Sequence, residues 1–352
     1  MKKFHFKYLK ETEYEEWNDF VAKSPDGSIY STPEYLDVLC GVTSANFKIL
    51  AVTRNDEIFG GIALYERPSR FGTYVAPRLL LYYNGLVLKD FETKYPSKQT
   101  SRRLEIMAAL EEHLSKAGYA RIVIKNRSTL EDARVFKEKE WIVAPDYTYV
   151  APIADLDNLW ERVEQNLRRL INRCSSQGLQ FSKEADFENL FRLHFNTHQR
   201  KGMSLYLPYD EFKKYFERLS SQGLCQLYHA RLPEGRPIAS QLVLLGSHPV
   251  SHTVCAGADK EFLNMGANAF LRLNVFKDLS SQGFIGNDLT DASLNPVTHF
   301  KSQLGADLKI CFSFSRDSFP FKLKNNLNRY LSAGKNRLTE SFKRIRRSKK
   351  LG

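Results

Sequence analysis

One pattern of elements occurs twice along the chain, and this duplication constrains the fold more than any other feature. In the first half, Phe47–Thr53 and Ile58–Tyr65 read as strands joined by a polar turn at Arg54–Glu57. A strand over Leu79–Leu88, a helix over Ser101–Ala117, Gly118 and a strand over Tyr119–Ile124 follow. In the second half, Leu224–Ala230 and Pro237–Leu245 form the hairpin, followed by Val250–Ala258, a helix over Asn268–Leu279, Gly283 and Phe284–Leu289. Ala51 and Gly60 are nine residues apart, and so are Ala230 and Ala239. Amphipathic patterns end on Gly118, Gly178, Gly223 and Gly283, where glycine supplies a left-handed helix stop. Helix, glycine stop and strand in alternation define an α/β or α+β chain.

Between the copies lies a helical stretch. Asp155 or Asp157 can cap a helix with Leu159, Trp160, Val163, Leu167, Leu170 and Ile171 on one face. A second helix carries Phe187, Leu190, Phe191 and His194, and a third carries Phe212, Tyr215, Phe216 and Leu219. The expected domains are residues 1–152, then 153–320 with the helical connection, then a tail over 321–352. At 352 residues, two domains of ordinary size fit. A charged fraction of 26% against 42% hydrophobic residues excludes disorder over most of that length.

The net charge of +12 is unevenly spread, since the tail from Phe321 holds eleven Lys or Arg residues against Glu340 alone. Leu323, Leu327, Tyr330 and Leu331, then Leu338, Phe342 and Ile345, recur at helical spacing. A basic amphipathic helix suits an anionic membrane surface or an RNA backbone, or serves only as a solvated end. No apolar run approaches the ~20 residues of a membrane span, and a charged stretch follows the basic N-terminus where a signal peptide would be apolar. The expected place is the cytoplasm, free or peripheral at the inner face of the membrane. The five cysteines are scattered without a CxxC pair, which favours buried thiols over disulfides or zinc.

Several stretches together carry a family resemblance. They are Gly27-Ser-Ile-Tyr-Ser-Thr-Pro-Glu-Tyr-Leu36, Asn166-Leu-Arg-Arg-Leu-Ile-Asn-Arg173, Arg200-Lys-Gly202, Pro237-Ile-Ala-Ser240, Gly266-Ala-Asn268, and Asp288 through Phe300-Lys-Ser-Gln-Leu-Gly305. Over roughly residues 28–312 the chain resembles the Fem-type transferases and FemAB-like acetyltransferases of the GNAT superfamily. The resemblance implies an α+β fold of two tandem GNAT-like acyltransferase domains joined by helices. It also implies acyl or aminoacyl transfer to an amine of a cell-envelope precursor, such as an amino sugar, a polysaccharide or a peptidoglycan peptide. Acetyl-CoA or aminoacyl-tRNA would be the co-substrate, with no tightly bound cofactor, no metal and no DNA partner. A strictly tRNA-dependent peptidoglycan aminoacyltransferase and a non-catalytic binding protein of the same fold are the alternatives.

The chemistry of such a transfer picks out candidate residues. Amide formation builds negative charge on a carbonyl oxygen, which the ammonium of Lys301 could stabilise, while Asp288 or Asp291 could take the proton of the amine. By resemblance, Lys301 matches the lysine of the family's Phe-Lys motif, and Phe300 would anchor that segment. Arg200 can grip a phosphate or carboxylate bidentately, with Tyr206 close by. The resemblance implies that this region holds the acceptor. Gly266, Ala267 and Asn268 could present a helix N-terminus to a diphosphate. Only Gly266 fits the usual CoA-loop pattern, and the first copy lacks a glycine there, so CoA is expected in the second half alone. His252 lies on a strand as a half-buried or groove-lining residue. His194 and His198 are four apart but lack the glutamate and third ligand of a zinc site. The Tyr82-Tyr83 pair reads as core.

The tail gives a direct test. Deleting residues 321–352 should abolish salt-sensitive sedimentation with anionic vesicles and leave the melting temperature nearly unchanged. Indifference of the full chain to both vesicles and tRNA at low salt would remove the tail's role.

Overall fold

The structure, a computed structural model, describes residues 4–318 and Phe321. The first half contains β1 (His5–Tyr8), α1 (Tyr14–Lys23), α2 (Pro33–Cys40), β2 (Asn46–Arg54), β3 (Glu57–Arg67) and β4 (Tyr74–Val75). It continues with β5 (Leu86–Leu88), α3 (Pro96–Lys116), β6 (Arg121–Lys125), α4 (Arg134–Glu138) and β7 (Ile142–Pro152). The second half contains α5 (Leu156–Arg162), α6 (Gln165–Ser176), β8 (Gln180–Lys183), α7 (Phe187–Arg200), α8 (Tyr209–Ser221) and β9 (Cys225–Arg231). It ends with β10 (Pro237–Leu244), β11 (Val250–Ala258), α9 (Ala267–Ser281), β12 (Gly286–Asp288), α10 (Pro296–Ser302) and β13 (Asp307–Asp317).

These strands form one mixed sheet in the order β1-β2-β3-β4-β6-β13-β7-β12-β11-β10-β9-β8, with β5 also paired to β3. The two copies of the pattern are therefore joined through their backbones. β13, from the end of the second half, lies antiparallel between β6 and β7 of the first. β7 in turn pairs with β12, where Asp288 stands opposite Val150. The expected hairpins form: Arg54 pairs with Glu57 across Asn55 and Asp56, both left-handed as a tight two-residue hairpin turn requires. Ala230 pairs with Ala239 in the second hairpin.

Two expectations need correction. The strand expected over Leu79–Leu88 is reduced to β5, and the chain makes an excursion between β4 and β5. Side chains replace the lost ladder: Asn84 bonds the backbone of Val123 and Lys125, and Asn126 accepts from the Leu86 amide. The single helix expected after Asp155 is two, α5 and α6. Asp155 caps the first. Val163 then turns extended to bridge Leu304, and the Glu164 amide donates to the Gln303 carbonyl. Tertiary bonds to the segment after Lys301 outweigh continued helix there.

The apolar residues pack into three cores. One lies between α3, α4 and the first half's strands, and one between α5, α6, α9 and the second half's strands. The third belongs to both halves and gathers Trp17, Tyr35, Phe212 and Tyr215 under α1, α2, α7 and α8. Phe321 is buried, with its ring 5.2 Å from that of Tyr74. A tail deletion that spares the body therefore begins at residue 322. The basic segment over 322–352 lies outside the described residues. Among the described residues no helix is long and apolar enough to cross a membrane.

Helix α7 crosses β11 at Gly257, where an added Cβ would stand 2.4–2.6 Å from backbone atoms of Leu193 and His194. Backbone cannot yield as a flexible side chain can. Gly257→Ala should cost ~1–3 kcal/mol, the usual penalty of overpacking, read as a lower urea midpoint. An unchanged midpoint would contradict so close an approach.

Candidate active site

Strand β12 pairs in parallel with β11 only from Gly286 to Asp288, opposite Val250 to His252. Beyond that point the strands part. A cleft of about 350 Å³ is lined by Thr197, Arg200 and Lys201, by Ala256–Ala258, by Leu263, Asn268 and Arg272, and by Pro296, Val297 and Phe300. The cleft thus collects the end of α7, the start of α9 and one side of α10. Gly266 caps α9 with φ 95°, and a Cβ there would meet Leu170 at 2.7 Å. Only glycine suits that position.

Lys301 sits just behind this wall. Asn295 caps α10 by accepting from the amides of Val297 and Thr298, and Pro296 starts the helix. Thr298 and Lys301, three apart, face inward and are buried. The Lys301 ammonium donates to the carbonyls of Thr290 and, at 2.6 Å, Asp291. Both carbonyls point at it because Thr290 and Asp291 are consecutive left-handed residues, with φ 50° and 39°. That conformation costs ~1–2 kcal/mol per L-residue. Two charge-assisted hydrogen bonds can offset it. Burial brings the ammonium down to about 8. The neighbouring Arg272 and Lys201 add to the effect, and Asp291 and Asp288 oppose it.

Asp288 does not line the cleft. Its carboxylate is buried and accepts from the hydroxyls of Tyr83 and Thr148 and from the Thr290 amide. Asp291 is exposed and caps Ser293 with its side chain. Arg200 lines the cleft while donating to the Ala258 carbonyl at 3.0 Å.

Tyr206 and His252 do not join this group. Tyr206 donates to His194 Nε2 at 2.9 Å and meets Cys255 Sγ at 2.7 Å, inside the shared core. His252 is sealed off at 0% exposure against Tyr30 and Tyr83. Burial, with Arg127 near, holds it neutral, so its 3.8 Å approach to Asp288 is no ion pair. His194 donates through Nδ1 to the Ala256 carbonyl, and His198 through Nδ1 to the His194 carbonyl. Among the described residues no group of three His, Cys, Asp or Glu side chains is placed to hold a metal. Burial raises all five thiols, which disfavours a cysteine nucleophile.

Sequence reasoning missed Arg272. It is 7% exposed, its Nη1 has no hydrogen-bond partner, and it faces the cleft beside the N-terminus of α9. Burial lowers its guanidinium to about 10. The available signal was a lone cation in Phe270-Leu-Arg-Leu273, on a helix that is apolar all round. An unpartnered guanidinium beside free helix amides is chemistry for an anion such as a phosphate. The fit to acetyl-CoA is partial. The phosphate end is matched, but the edge of β11 is closed: His194 takes the Ala256 carbonyl, Thr197 the Ala258 amide, and Arg200 the Ala258 carbonyl.

Residues 161–302, which contain the cleft and Lys301, match the family described as acetyltransferase (GNAT) domain. That segment is thus a GNAT-type domain, and the two halves together take a fold like that of Fem-like and tandem-GNAT proteins. The crystal structure of FemX superposes with a TM-score of 0.69 at 14% identity, covering 88% of this chain and 96% of that one. The structure of L-PGS from Bacillus licheniformis gives 0.51 at 12%, over 88% and 94%. A tandem GNAT protein from the clavulanic acid biosynthesis pathway gives 0.51 at 10%, over 89% and 98%. No curated protein sequence matches significantly.

A buried cation without a partner is a stability cost. Arg272→Met should raise the urea midpoint, by ~1–3 kcal/mol of stability, and weaken binding of CoA measured by calorimetry. A variant destabilised with CoA affinity intact would make Arg272 a structural residue.

Proposed function

We propose that the protein transfers an acyl or aminoacyl group to an amine of a cell-envelope precursor, an amino sugar, polysaccharide unit or peptidoglycan peptide, with Lys301 stabilising the oxyanion. The observation that carries this reading is a buried ammonium with two of its three protons held by carbonyls, directly behind a cationic cleft. The amine nitrogen forms a bond to the donor's carbonyl carbon, and the carbon–sulfur or carbon–oxygen bond to the carrier breaks, the carrier leaving as a thiol or alcohol with the proton that the amine gives up. The remaining Lys301 proton bonds the developing alkoxide. Asp291, exposed and bonded to Lys301 through its carbonyl, takes the amine's proton in place of the buried Asp288. Arg272, Arg200 and the amides at Gly266–Asn268 hold phosphates of the donor.

One observation favours a strictly aminoacyl-tRNA donor as a second reading. A donor with an extended amide-bearing arm gains affinity by adding to a free strand edge. The edge of β11 is already bonded at Ala256 and Ala258, whereas an RNA 3′ end needs only phosphate contacts and space for an ester. The FemX and L-PGS likenesses support the fold of such a transfer. The basic tail remains an expected contact for tRNA or for an anionic membrane.

The test offers acetyl-CoA and aminoacyl-tRNA as donors against amino-sugar and peptidoglycan-peptide acceptors. With the pair that turns over, Lys301→Ala should lower kcat ~10²–10³-fold and leave the acceptor KM nearly unchanged. Lys301→Arg should not restore it fully. Lys301 acts in its protonated form, so kcat should fall above pH 8, where the ammonium of pKa about 8 is lost. Near-normal turnover of folded Lys301→Ala, or activity that rises through pH 8, would overturn the oxyanion role.

A further inference from the structure

Every residue lining the cleft comes from the second half, yet the loop that seats Lys301 is bonded to the first half. The Leu289 and Ala292 amides donate to the Tyr149 and Tyr147 carbonyls of β7 on either side of the lysine's seat, and Asp288 makes the side-chain part of the connection. Its Oδ1 accepts from the Thr148 hydroxyl on β7 at 2.5 Å and from the Thr290 amide at 2.8 Å. Its Oδ2 accepts from the Tyr83 hydroxyl at 2.9 Å. Tyr83 belongs to the excursion between β4 and β5, and Thr148 to the strand that β13 and β12 enclose. The next link is the left-handed pair Thr290–Asp291, whose carbonyls receive the ammonium. Neither residue holds that backbone without outside bonds. The Thr290 amide is tied to Asp288, and its hydroxyl is tied to the Thr253 carbonyl.

We propose that Tyr83 and Thr148 are positioning residues for Lys301, fixing the Asp288 carboxylate so that it holds the left-handed Thr290–Asp291 carbonyls in place. This rests on the catalytic reading of Lys301 given above. It gives the first half a task in the reaction without a side chain in the cleft, and it accounts for the broken strand. A regular strand through Leu79–Leu88 would alternate its side chains and stay in the first half's sheet. The excursion instead carries the Tyr83 hydroxyl across to β12. It also gives Asp288 a full set of donors, which a buried carboxylate needs.

Trace labelling with acetic anhydride across pH 6–11, read by mass spectrometry for each lysine peptide of the full chain, tests this without a known substrate. Tyr83→Phe and Thr148→Val each delete one hydroxyl and keep the side chain's size. Each should free Lys301 and speed its labelling at pH 7 by about five-fold or more, the loss of one hydrogen bond to a charged group. The midpoint of its labelling curve should move as well. Lys201, on the cleft rim, should be unchanged, and Thr148→Ser should match the parent. Unchanged Lys301 labelling in both hydroxyl deletions overturns the proposal, and so does an equal increase at every lysine, which would mean general loosening. Failure of the catalytic reading shows separately, as near-normal turnover of Lys301→Ala whatever the labelling result.

Discussion

The placement of β13 between β6 and β7 is the constraint on which the rest of the structure depends. A strand from the chain's end supplies backbone bonds to two strands of the first half. Neither half can complete its sheet alone, because unpaired buried amides and carbonyls are costly. The exchange brings β12 against β7, so Asp288 falls beside Thr148. It also places the loop after β12 at the seam, within reach of Tyr83. The lysine's seat is thus a consequence of strand order.

The site is built at an energetic cost. Lys301 and Arg272 are both buried cations without a carboxylate partner; burial lowers both, and Arg272 lowers Lys301 further. Asp288, the nearest buried acid, is occupied by three neutral donors. Two adjacent left-handed residues add backbone strain. Such positive, poorly compensated space has little purpose in a core, and it suits charge that arrives with a ligand or develops during reaction.

The two copies of the pattern have diverged in the part that matters for chemistry. Both keep the hairpin, the helix and the strand that follows it. In the second copy β11 runs unbroken to the cleft, and α9 begins at a left-handed glycine. In the first, the equivalent strand is split into β4 and β5, and its aromatic excursion points into the partner half. One copy carries the cleft, and under the proposal above the other holds the loop that seats Lys301.

Local pattern alone determined the duplicated order of strands and helices, the turn between Arg54 and Glu57, and a helix cap at Asp155 or Asp157. Each rests on contacts within a few residues. Resemblance alone singled out the Phe-Lys segment, and the burial of Lys301 against two carbonyls came from the structure. The sequence could not show that the expected strand over Leu79–Leu88 breaks, since Asn84 and Asn126 replace its ladder from positions far apart in the chain. Nor could it separate Asp288 from Asp291. Both are acids in one turn, and only the seam between the halves buries the first among three donors and leaves the second exposed. Tyr206 and His252 have residue types suited to a site, yet packing between the halves seals them away. Arg272 became a site residue only when α9 was buried on all sides and its guanidinium had the cleft alone to face. Tertiary structure decided these points because burial and long-range partners, which local spacing does not encode, set what a polar side chain can do.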